Sequence, residues 1–176
     1  MTLVLVGDTL ILRIFSLHLR ILNVSYKKRG SPMVNDDTVK LLRECNSGIQ
    51  MAVFSIEEVL DNVKDSKLLD ILAASKEEHK KLGNETHALL AACGDDIKEP
   101  SAIAKGMSWM KTTAKLAMEE SDATVTDLIT DGCNMGIKSL YRYRNQYKGA
   151  DSKAKDLSER LIRAEEDLRH ELRDYL

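Results

Sequence analysis

Proline is almost missing from this chain: Pro32 and Pro100 are the only two among 176 residues, and both fall outside the periodic segments. A sequence so poor in backbone breaks, and rich in Ala, Leu, Lys and Glu, belongs to the all-α class, with strand signals confined to its N-terminus. Cysteine is equally sparse. Cys45, Cys93 and Cys133 are an odd number at long spacings without a C-x-x-C, which argues against a disulfide framework or a structural zinc site and makes a reducing cytoplasm the expected compartment. Charge of one sign is also lacking: the formal net charge is -2 with both signs interspersed, so neither nucleic acid nor an anionic membrane is an expected partner. Catalytic spacings are wanting too. His18, His79, His87 and His170 have no nucleophile or carboxylate at a motif distance.

Long apolar runs are absent as well. The N-terminal stretch MTLVLVGDTLILRIFSLHLRILNVSY is rich in β-branched residues, but Asp8, Arg13, His18 and Arg20 interrupt it too often for a membrane span. It lacks the charged start and small-residue cleavage site of a secretory signal. Two readings of residues 1–32 stay open. Gly7 and Asp8 could turn a marginal two-strand hairpin. Alternatively, KKRGSPM back-translates to a purine-rich stretch just ahead of Met33, as a ribosome-binding site would, which makes Met33 the expected true start and residues 33–176 the folded domain.

What is present, from Asn35 onward, is helical periodicity. Leu41, Cys45, Ile49, Ala52, Ile56, Val59 and Val63 recur at steps of three and four after possible N-caps at residues 35–37. A second segment opens at Asp65 or Ser66 and stops at Gly94, a residue suited to the left-handed C′ position, with Gly83 as an unfavourable interior residue. Beyond Pro100, Ile103, Met107, Met110, Ala114 and Ala117 mark a shorter amphipathic helix that carries Trp109. Ser121 then caps a segment with the stripe Val125, Ile129, Cys133, Gly136, Ile137 and Leu140 that ends at Gly149, and a last helix runs from Asp151 through Leu157, Leu161, Ala164 and Leu168 to the C-terminus. YRYRNQYK interleaves aromatic and basic residues, yet helical geometry divides them between two sides, so it reads as helix surface and not as a nucleic-acid platform.

CNSGIQM at residues 45–51 returns as CNMGIKS at 133–139, an offset of 88 shared by Gly48 and Gly136, Leu69 and Leu157, and Glu77-Glu78 and Glu165-Glu166. A doubled helical hairpin accounts for one offset at so many places. If the connection between copies spans the bundle, the first and third long helices run antiparallel and cross near Gly48 and Gly136, where missing side chains would let two backbones approach. Cys45 and Cys133 would then sit roughly 11 Å apart along the axis, beyond disulfide reach, as small buried apolar residues.

These features, namely the long crossover, the doubled hairpin and the Gly-Ile in mid-helix, resemble the ferritin-like superfamily, particularly its small bacterial members. The resemblance implies an antiparallel four-helix bundle with a long crossover between the second and third long helices, here containing a shorter fifth helix. It also implies a di-iron site built from single carboxylates and Glu-x-x-His pairs. The chain departs from that pattern: Gln50 and Lys138 follow the two Gly-Ile pairs, Lys81 follows Glu78 at i+3, and Leu168 and Arg169 follow Glu165 and Glu166. The expectation is therefore a non-enzymatic bundle with a lost metal site and no cofactor, acting as a self-associating homo-oligomer or as a module that binds a partner protein. Cys45, Gly48, Cys133, Gly136 and Lys138 are its structural residues. Lys138, if it points inward, would replace the metal's charge by pairing with Glu78 and Glu166. The alternative is an iron- or manganese-dependent oxidase or iron-handling protein with atypical ligands drawn from Glu57, Glu78, His79, Glu166 and His170.

Overall fold

The computed structural model describes residues 35–95 and 121–176. The proposed hairpin or alternative start within residues 1–32 and the amphipathic helix around Trp109 lie outside the described residues. Four long helices make up the rest: α1 (Asp36–Val59), α2 (Ser66–Ala92), α3 (Asp122–Gln146) and α4 (Ser152–Glu171), with single 3-10 turns at Leu60–Asn62 and Leu172–Tyr175. Among the described residues there is no strand, and no helix is long and apolar enough to cross a membrane.

Side-chain caps start each of the four described α-helices. Asn35 accepts from the Asp37 amide, Asp65 from Lys67 and Leu68, Ser121 from Thr124, and Asp151 from Ala154, so donors without a helical partner are satisfied at each N-terminus. Gly94, with φ +72°, closes α2 in a Schellman motif in which its own N–H bonds to Ala91 O and that of Asp95 to Leu90 O. The third helix stops before the expected Gly149, at Gln146. Gly149 serves instead as a close-contact residue: its N–H donates to Asp37 Oδ2 at 2.9 Å, its carbonyl accepts from Asn35 Nδ2, and a Cβ there would lie 2.8 Å from the same carboxylate.

Those contacts place the link between α3 and α4 beside the start of α1. At the other end, Asp122 at the start of α3 accepts from the amides of Lys64 and Asp65 in the link between α1 and α2, at 2.7 and 3.0 Å. Hence α1 and α3 are antiparallel. Asp95, held by Arg43 near the start of α1, and Ser121 lie at opposite ends of the bundle. Around its circumference the order is α1, α2, α4, α3, with α1 and α4 also touching across the middle.

Two apolar clusters fill the interior. One gathers Leu41, Leu42, Ile49, Leu90, Leu157 and Leu161; the other gathers Ile56, Leu68, Leu72, Ile129, Leu168 and Leu172. Along each helix the boundary between them falls at the same level, and there the chain places His79, Gly136 and Glu165.

The burial pattern does not follow the 88-residue offset throughout. At 88 residues Cys45 and Cys133 are both buried, but exposed Leu69 is matched with fully buried Leu157, and exposed Glu77 with buried Glu165. For the second pair of helices an offset of 86 fits instead: buried Leu68, Leu72, His79 and Leu82 correspond to buried Ala154, Ser158, Glu165 and Leu168, and the cap Asp65 corresponds to Asp151. The link within the second hairpin is shorter than that within the first, so no single spacing keeps the burial patterns of both hairpins in register.

Candidate site at the middle of the bundle

Glu165 sits within the buried stripe of α4, four residues after Leu161 and three before Leu168, and is 6% exposed. Its neighbour on α2 is His79, fully buried between Leu72 and Leu82. His79 Nδ1 donates to the carbonyl of Ser75 at 2.8 Å, which fixes that nitrogen as protonated and turns Nε2 towards Glu165 Oε1 at 3.4 Å. The second contact is one of charge, since Nε2 makes no directed hydrogen bond. Burial is the largest influence on the ring and disfavours its cation. The Glu165 carboxylate and the Ser75 carbonyl outweigh it, so the His79 pKa is raised above its ordinary 6.5.

Gly136 of α3 covers the carboxylate from the other side. A Cβ on it would stand 3.2 Å from Glu165 Oε1 and 3.4 Å from Cδ, so the missing side chain makes room for a charged group. Cys133, one turn earlier, also faces Glu165. Burial first, and then this carboxylate, push its thiol pKa well up. Burial likewise pushes Cys45 up to about 12. All three cysteines are free thiols, and these two are buried and held in the unreactive form at neutral pH.

Beside the pair lies a cavity of about 310 Å³ between α1 and α3, floored by α4. Gly48, Ala52 and Ser55 line it from α1 and Gly132, Gly136 and Ser139 from α3, while Met51, Ile56, Leu128 and Leu140 provide apolar wall. Nothing stands within 4 Å of a Cβ built on Gly48 or Gly132. This corrects the expectation of backbones in close contact at Gly48 and Gly136: Gly48 faces open space, Gly136 faces Glu165, and both border the cavity. The tight approach is elsewhere, at buried Gly83 of α2, where a Cβ would lie 3.2 Å from Ile49 Cγ2 of α1.

Lys138 is exposed and is not an internal cation; His79 takes that place, and its carboxylate is Glu165 instead of Glu78 or Glu166. The alternative ligand set does not assemble. Glu57 is exposed and pairs with Lys80 at 3.3 Å, Glu78 and His170 are exposed, and only His79 of the five is buried. Among the described residues no three His, Cys, Asp or Glu side chains converge as metal ligands would. Cys45 and Cys133 are buried as expected of small apolar residues. Glu165 was the member missed, and its position on the apolar stripe of α4 is the signal that distinguishes it from Glu166. No protein-family model matches the chain, and neither does any curated protein or solved structure.

Proposed function

We propose that this chain is a non-enzymatic helical bundle on the ferritin-like plan, a binding module whose metal site has been lost and whose mid-bundle position is now held by an ion pair. The observation that carries the reading is the His79–Glu165 contact, in which one cation and one carboxylate neutralise each other at the level where metal-binding relatives would gather several ligands. The ends of the described helices support the plan, since a chain leaving α2 at Asp95 must reach the opposite end to enter α3 at Ser121. Unreactive buried thiols and a histidine tied to Ser75 and Glu165 favour binding over turnover.

A second copy or another protein is the partner this surface suits, with Met135 and Tyr141 of α3 as large exposed apolar residues. Free thiols fit a reducing cytoplasm. Elemental analysis of protein purified without chelator, combined with sedimentation across a concentration series, tests this. Metal well below stoichiometric amounts together with a concentration-dependent mass, or co-purification of a defined partner, is the expected result. Near-stoichiometric iron or manganese defeats it.

A further inference from the structure

We infer that the cavity between α1 and α3 binds a small organic ammonium ion, with Glu165 holding the head group and Met51, Ile56 and Leu140 receiving an apolar body. The volume, about 310 Å³, is in the range of small-molecule sites, and its walls are apolar apart from a few hydroxyls and two carboxylates. Glu165 reaches the floor of the cavity while more than nine-tenths buried. On the protein side its partners are His79 Nε2 at 3.4 Å, without directed hydrogen-bond geometry, and the Cys133 thiol. A carboxylate offers about four lone-pair sites, so these two weak partners leave acceptor capacity for a donor from the cavity side.

Charge gives the sign of that donor. The second lining carboxylate is Glu44, on the α1 wall, and no Lys, Arg or His is among the described lining residues. Glu44 and Glu165 bring two carboxylates and His79, when protonated, offsets one of them, so the site is net negative in either state of the ring; a cation reduces that charge and an anion adds to it. Glycine at positions 48 and 132 leaves volume that side chains would otherwise fill, so the body of the ligand has somewhere to lie. The inference stands on the cavity and is separate from the protein-partner reading: ligand titration addresses one and sedimentation the other.

Titration calorimetry of the full chain with phenethylammonium, 2-phenylethanol and 3-phenylpropionate tests it. Phenethylammonium should bind saturably, the neutral alcohol at least tenfold more weakly, and the anion not at all. Glu165→Gln should weaken ammonium binding by roughly tenfold to a hundredfold, as loss of a charge-assisted contact does. Because that variant also disturbs the His79 pair, Ala52→Leu provides a second arm: it fills the cavity from α1, should leave the helical fold and melting temperature intact, and should abolish binding. Absence of saturable binding by the unaltered chain at 10 mM phenethylammonium (about the weakest head-group contact worth calling a site) overturns the inference. Equal affinity for the anion, or binding that survives Ala52→Leu, does so as well.

Discussion

Three glycines border the cavity in two kinds of surroundings, and an added methyl group tells them apart. An alanine at Gly48 or Gly132 meets nothing within 4 Å, so each change should stabilise the protein by about 0.5–1 kcal/mol through helix propensity alone. At Gly136 the same methyl presses on Glu165 Oε1, and the crowding should cancel that gain and leave a net loss of about 1 kcal/mol. Urea unfolding of the three variants checks the order. His79 supports a second prediction. Its folded pKa is raised, so its contribution is complete below the unfolded value near 6.5 and is lost as pH rises through the folded value. Stability measured from pH 6 to 9 should therefore fall, and His79→Gln should flatten the slope. Glu165 was legible in principle, because it occupies a stripe position; its neighbour Glu166 stood out instead for having His170 four residues on. Lys138 failed for a related reason, since following Gly-Ile in sequence does not set the side of the helix it occupies.

At the level of elements, capping chemistry was the most readable part. Asn35, Asp65, Ser121 and Asp151 all act where local hydrogen-bonding logic puts them, and Gly94 adopts the left-handed turn that ends α2. Gly149 was not readable in this way: its role depends on Asn35 and Asp37, more than a hundred residues earlier, and no local rule reports such a contact. Asp122 is similar, reaching two amides in a distant link. Asp122→Ala should cost about 1 kcal/mol, because it removes two hydrogen bonds to the exposed Lys64 and Asp65 amides, whereas Asp127→Ala on an exposed face of the same helix should stay within about 0.5 kcal/mol. Thermal melts of the pair measure the difference.

For the bundle as a whole, the four described helices and their pairing into two hairpins followed from periodicity and caps, whereas the placement of Asp95 and Ser121 at opposite ends was only conditional on a connection that spans the bundle. The level of the polar layer was not legible, because the 88-residue identities suggested one register and the burial of α2 and α4 follows another. The cavity was likewise invisible, since small residues repeated on facing helices look alike whether the helices close on each other or stand apart. The contacts at the two ends have a joint meaning. Asp37 holds the amide of Gly149 in the turn of the second hairpin, and Asp122 holds the amides in the turn of the first. Each hairpin thus clasps the bend of its counterpart, so neither can peel away without opening both fastenings. Two separate polypeptides, residues 33–95 and 121–176, should consequently find one another in solution and regain a joint melting transition on mixing, while Asp37→Ala combined with Asp122→Ala should leave them apart.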